Sequence, residues 1–141
     1  MILLDTDHLS VLLDPRHALR DPLLNRLEHC HESLAVSIIA VEEQLRSWLA
    51  EIHRIRDPHR QIVPYLRLNK LLLFLARWRI VDWNEPAADV VVQLRKSRIR
   101  IGTQDLKIAA IAIANDALLL SANLRDFEKI PRLRVEDWLY G

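Results

Sequence analysis

Glycine is almost missing from this chain. Only Gly102 and Gly141 occur among 141 residues. Neither GxGxxG nor a GxxxxGK segment is present, so the glycine-rich phosphate cradles of dinucleotide-binding and P-loop proteins are excluded. Cysteine is scarcer still. Cys30 alone permits no intramolecular disulfide and no multi-cysteine zinc cluster, and it fits a reducing compartment. Charge of one sign is lacking too: the formal net charge is +1, so affinity for nucleic acid would need local basic patches. Long apolar runs are absent. "MILL" is too short for a secretory h-region and has no basic n-region, and Leu71 to Ala76 is bracketed by Lys70 and Arg77 and cannot span a bilayer. The expectation is a soluble, cytoplasmic protein with no membrane partner.

What is present is apolar and charged: 50% hydrophobic and 28% charged residues, enough to build one domain over residues 1–141. Ile2-Leu3-Leu4 reads as a short buried strand ended by Asp5, followed by a helix that Thr6 or Asp7 caps and that stops before Pro15. Asp21-Pro22 opens a helix toward Cys30, and Leu34 to Ile39 reads as a second strand. Two helices, Ala40 to about Ile55 and a second ending near Trp78, are separated by Asp57-Pro58, with Pro64 marking a restart or kink. Then follow a strand at Ile80 to Trp83, a helix from Ala87 to about Ser97 capped by Asn84, a helix beginning at Gly102-Thr103, and strands at Ala117 to Leu120 and Arg134 to Glu136. Strands alternating with helices predict an α/β/α sandwich with a central, mostly parallel sheet. The helical pair around residues 40–78 should protrude from it as a hairpin.

A parallel sheet places ligand sites beyond the C-terminal ends of its strands. At those ends lie Asp5 and Asp7 after the first strand, Glu42 and Glu43 after the second, and Ser121, Asn123 and Asp126 after the Ala117 to Leu120 strand. Asp105 begins the alanine-rich helix. Singly, each has an ordinary structural role: a helix cap, a dipole partner, a solvated carboxylate or a turn. Together on one edge they repel one another, and a hard divalent cation with oxygen ligands, Mg²⁺ or Mn²⁺, would relieve that repulsion. Such a site suits metal-assisted phosphate chemistry.

Four segments, "MILLDTDHLS", "SIIAVEEQLRSWLA", "IGTQDLKIAAIAIAND" and "LLLSANLRDFEKIPRLRVEDW", resemble in order and spacing the PIN-domain ribonucleases, specifically the VapC-type toxins of bacterial type II toxin–antitoxin modules. The resemblance covers nearly the whole chain. It implies that Asp5 is the first-strand aspartate and a metal ligand, and that Glu43 is a better match than Glu42. It adds Asp105 and Asp126 to the catalytic, metal-binding set. Thr6, Asp7, Ser121 and Asn123 would then order the surroundings. The implied activity is metal-dependent endoribonuclease cleavage of RNA, with transfer or ribosomal RNA the targets the likeness suggests, leaving 5′-phosphate and 3′-hydroxyl ends and so inhibiting translation. The implied partners are a cognate antitoxin and a second copy of the chain. Departures from the pattern are Ser47 and Arg132 where glycines are usual, and a neutral Asn123.

Basic residues could hold an RNA backbone near the site. "RKSRIR" supplies Arg95, Lys96, Arg98 and Arg100 just ahead of Asp105, and Arg46 follows the paired glutamates. For the longer stretch through Arg79 a solvated helix face is an equal reading. Trp48 and Trp78 read as core residues that could also border a partner groove. His29-Cys30-His31 is not expected to bind metal, because sequence neighbours on a helix point apart. Two other functions compete. In a haloacid-dehalogenase-like phosphatase, Asp5 of Asp-Thr-Asp would be the nucleophile, but Leu9 stands where that motif wants Thr or Val, and the later paired aspartates are missing. In a non-catalytic PIN-like binding module the carboxylates would be dispensable, and here all are present.

Overall fold

Ile2–Leu4 forms β1 at the centre of the sheet in the computed structural model, which describes residues 1–141. The chain continues through α1 (Thr6–Leu13), α2 (Arg20–His29), β2 (Leu34–Ser37), α3 (Ile38–Arg54), α4 (Ile62–Leu75) and β3 (Arg79–Val81). It ends with α5 (Glu85–Lys96), α6 (Thr103–Ala114), β4 (Leu118–Leu120), α7 (Leu124–Phe127) and β5 (Arg134–Glu136). The strand order is β3-β2-β1-β4-β5 and every pairing is parallel. The sheet is therefore wholly, not mostly, parallel.

Alternation along the strands divides the core into two layers. Leu3, Ala35 and Leu119 point to one face, where they pack with Val91 and Leu94 of α5, Ile108 and Ile111 of α6, and Phe127. Ile2, Leu4, Val36 and Leu120 point to the other, against Leu9 and Leu12 of α1, Leu23 and Leu27 of α2, and Leu71 and Leu75 of α4. The predicted α/β/α sandwich is thus present. The helical pair is anchored along one side by Leu71 and Leu75, while Ile62, Val63, Tyr65, Leu66, Leu72 and Leu73 of α4 stay exposed. Trp48 and Trp78 are half-buried against the same layer. No helix is long and apolar enough to cross a membrane.

Several local expectations are corrected. Ile38 and Ile39 are helical, because the buried Ser37 hydroxyl accepts a hydrogen bond from the Ala40 N–H at 3.0 Å and caps α3 two residues earlier than their β-branched character suggests. Asp5, and not Thr6 or Asp7, is the N-cap of α1. Helix α2 begins at Arg20, ahead of Asp21, with Leu19 in the cap position. Pro64 lies in the first turn of α4, where a missing N–H breaks no helical bond, so it neither restarts nor kinks the helix. Strand β3 stops at Val81, short of Trp83. Asn84 does cap α5, accepting from the Ala87 N–H at 3.1 Å.

Arg132, standing where the resembling family carries glycine, adopts φ 67°. A side chain in the left-handed region costs about 1–2 kcal/mol, partly offset by the greater unfolded freedom of glycine. Arg132→Gly should therefore raise stability by about 1 kcal/mol and Tm by about 2–4 °C in a thermal melt. An unchanged or lower Tm would mean the Arg132 side chain supplies a compensating contact.

Candidate active site

The sheet register builds the site. Leu4 pairs with Val36 on one side and with Leu120 on the other. The next residue along each strand is therefore polar: Asp5, Ser37 and Ser121 form a buried row at the C-terminal edge. Asp5 is 6% exposed. Its Oδ1 accepts from the Thr6 N–H at 2.7 Å and its Oδ2 from the Ser121 hydroxyl at 2.7 Å. Burial, then the neighbouring Asp7 charge, pushes its pKa from 3.8 up to about 6.

Asp7 behaves oppositely. Burial works to raise its pKa, but hydrogen bonds from the His8 ring and the Ala122 N–H outweigh burial and bring it below the usual carboxylate range. Two adjacent carboxylates are thereby driven apart in acidity, with Asp7 kept ionised and Asp5 the group that would gain most from a cation.

Helix α3 brings in Glu43. Its Oε2 accepts from the Thr6 hydroxyl at 2.9 Å, while its Oε1 is buried with no partner. Burial first, then the Asp105 and Glu42 charges, raises its pKa. Glu42 faces outward, accepting from the Gln104 amide at 2.7 Å and pairing with Arg46 at 2.9 Å, and its pKa is lowered by the Gln104 hydrogen bond foremost. One residue's difference in position separates a site carboxylate from a surface one.

The first turn of α6 supplies Asp105, and the segment after β4 supplies Asn123 and Asp126. The Asn123 side-chain amide donates to Asp105 Oδ2 at 3.3 Å and to Asp126 Oδ2 at 3.2 Å, bridging two carboxylates that would otherwise face each other bare. The Asp105 pKa is raised by burial and by Asp126. That of Asp126 is lowered by hydrogen bonds from Asn123 and Lys129. The structure thus links Asp5, Thr6, Asp7, Ser121 and Glu43 by hydrogen bonds, and joins them to Asp105, Asn123 and Asp126 through the Asn123 N–H, which donates to the Ser121 hydroxyl at 3.1 Å, with the charge of Asp105 felt at both Asp5 and Glu43. No three Asp, Glu, His or Cys side chains stand close enough to enclose an ion by themselves.

Arg95 and Lys96 close α5, Arg98 takes a left-handed backbone at φ 57°, and Arg100 leads into Gly102, the N-cap of α6. All four side chains are exposed. Arg46 is exposed but tied to Glu42.

The PIN domain family matches residues 2–133. This chain belongs to the PIN domain family. Ribonuclease VapC2 of Rickettsia felis is 35% identical over 74 residues, which are 50% of this PIN chain and 55% of that relative. The chain thus spans about half the length of that relative. The tRNA(fMet)-specific endonuclease VapC of Salmonella typhimurium is 28% identical over 118 residues, covering 81% of this chain and 87% of its own. Among solved structures, VapBC2 from Rickettsia felis bound to a DNA fragment from its promoter has a TM-score of 0.74 at 27% identity, covering 98% of this chain and 99% of its own. VapBC from Salmonella typhimurium, at 23% identity and a TM-score of 0.76, shares the fold.

His8 lies beside the site without a role assigned by any motif in the sequence. It is fully buried and contacts Asp7. The available signal was its helical spacing with Val11 and Leu12, which puts a polar ring on an apolar face where it must find partners.

Proposed function

We propose that this PIN domain is a Mg²⁺- or Mn²⁺-dependent endoribonuclease acting as the toxin of a toxin–antitoxin pair. The single observation carrying this reading is the buried acidic edge, where Asp5, Glu43 and Asp105 all have raised pKa values through burial and mutual repulsion, and Glu43 Oε1 has no partner. Mg²⁺ keeps several waters and needs only one or two carboxylates, so such a donor set fits it without a closed protein cage. Asp5, Glu43, Asp105 and Asp126 would line the ion's site, and because no three of them converge on one point, waters would complete its coordination. The chemistry such an ion supplies is neutralisation of charge on the phosphate and a lowered pKa for the attacking water.

The chain's own contribution is orientation. Thr6 fixes one Glu43 oxygen, Ser121 one Asp5 oxygen, and Asn123 holds Asp105 beside Asp126. Arg95, Lys96, Arg98 and Arg100 would grip the RNA backbone on the approach to Asp105, with Arg46 a weaker contributor because Glu42 already occupies it. The names and complexes of the relatives support RNA as substrate, transfer RNA among the candidates, and an antitoxin as partner. The exposed apolar face of α4 suits a protein partner, whether antitoxin or second copy. The phosphatase alternative loses ground, since family membership is established.

Purified protein should cut RNA, including transfer RNA, in millimolar Mg²⁺ and stop when excess EDTA is added. Products should carry 5′-phosphates, detectable by their susceptibility to a 5′-phosphate-dependent exonuclease. Cleavage that persists in EDTA would overturn the mechanism.

A further inference from the structure

We infer that His8 is a positioning residue that decides which of two carboxylates the Ser121 hydroxyl serves. The inference deepens the metal-nuclease reading and rests on it.

His8 is 0% exposed, and both ring nitrogens are engaged. The Trp138 N–H donates to Nε2 at 3.1 Å, so Nε2 is the acceptor and the ring proton lies on Nδ1. Nδ1–H then donates to Asp7 Oδ1 at 2.6 Å. The Asp137 carboxylate, 3.9 Å from Nε2, is beyond hydrogen-bond reach and instead accepts from the Leu139 and Tyr140 N–H groups, shaping the turn that presents the Trp138 N–H. The backbone N–H of Trp138 fixes the tautomer, and that N–H and the Asp7 carboxylate together fix the ring orientation.

The effect passes to Asp5 through one proton. Asp7 Oδ1 also receives the His8 N–H at 2.6 Å, and Oδ2 receives the Ala122 N–H at 2.8 Å. The Ser121 hydroxyl lies 3.3 Å from Asp7 Oδ2 but 2.7 Å from Asp5 Oδ2, and it accepts from the Asn123 N–H. A hydroxyl has a single hydrogen to give. With three other donors, Asp7 does not compete for it, and Ser121 donates to Asp5. Without the imidazole, Asp7 draws the Ser121 proton toward itself, and Asp5 Oδ2 is left facing an oxygen lone pair. Asp5 then loses the orientation its role requires.

The test compares His8→Phe, which keeps buried bulk and loses both polar contacts, with His8→Asn, whose amide nitrogen stands near the place of Nδ1. Mn²⁺ binding to RNA-free protein is read by the electron paramagnetic resonance of free Mn²⁺, and RNA cleavage is resolved into kcat and KM. His8→Phe should weaken Mn²⁺ binding and lower kcat about 10–100-fold, as loss of a partner behind a metal ligand does, with KM for RNA unchanged. His8→Asn should restore both to within about threefold, because it keeps the donor to Asp7. Folded His8→Phe that binds Mn²⁺ like wild type, or His8→Asn no better than His8→Phe, overturns the inference. If His8→Phe does not fold, His8→Asn is compared with His8→Gln, which reaches toward Trp138 but not Asp7; equal Mn²⁺ affinities for the two overturn it. Wild type that binds no Mn²⁺ overturns the metal-nuclease reading and this inference together, an outcome distinct from equal binding by wild type and variants.

Discussion

Asp5→Asn should lower RNA cleavage about 10³-fold, the loss of several kcal/mol of transition-state stabilisation, while making the metal-free protein more stable. The two effects have one origin. Asp5 is buried beside Asp7, and its pKa stands at about 6 against an ordinary 3.8. That gap corresponds to about 3 kcal/mol. A group whose folded pKa is raised binds its proton more tightly in the native state, so its contribution is fully present below pH 3.8 and is lost as pH rises through about 6. In EDTA, the wild type and Asp5→Asn should therefore be similar in stability near pH 4. At pH 8 the variant should be the more stable by up to about 3 kcal/mol, read from urea denaturation at each pH. The asparagine keeps an acceptor for the Thr6 N–H, and the Ser121 hydroxyl can turn to accept from its amide. A stability difference that does not change with pH would show that Asp5 ionises freely in the native protein. Retention of more than about a tenth of the cleavage rate would remove Asp5 from the ligand set.

Asn123→Asp should make the fold dependent on divalent cation. Asn123 donates to Asp105 and to Asp126, and an aspartate donates to neither. Losing the hydrogen bond to the half-buried Asp105 carboxylate should by itself cost about 2 kcal/mol, and a third negative charge adds repulsion in the same direction. In EDTA at pH 8, Tm should fall by about 4–8 °C. Millimolar Mn²⁺ should recover most of that loss and stabilise the variant more than it does the wild type, because the added carboxylate raises the affinity and binding to the native state alone adds stability. Lowering the pH should also recover part of it, since Asp105 already has a raised pKa and a further carboxylate beside it favours its protonated form. A Tm that is low in EDTA and stays low in Mn²⁺ would place the three side chains outside any cation site.

How far the sequence could be read differs by element. Ile2–Leu4 and Leu118–Leu120 are uninterrupted apolar runs ended by polar residues, and both are strands. At Ile38-Ile39 the β-branched side chains favour a strand, but the Ser37 hydroxyl takes the Ala40 N–H and helix wins. Helix α7 was not foreseen, because four residues give no periodicity. At the site, the resemblance to the PIN family favours Glu43 over Glu42, and the Thr6 hydroxyl makes that difference physical. The division of labour between Asp5 and Asp7 was only half legible. That Asp5 caps the helix depends on backbone angles, and that Asp7 turns toward His8 depends on a contact reaching Trp138.

The central place of β1 has a temporal consequence. It precedes every other strand of the sheet along the chain, yet its neighbour β4 lies more than a hundred residues later, and Asp5 is held by Ser121, 116 positions away. Contacts of such separation form late, after the intervening chain has been ordered. On the ribosome, a growing chain thus has Asp5 and Glu43 long before it has Asp105, Asn123 or Ser121. The acidic edge is therefore assembled only once nearly the whole domain has emerged, so a truncated chain that ends before β4 lacks the hydroxyl that orients Asp5.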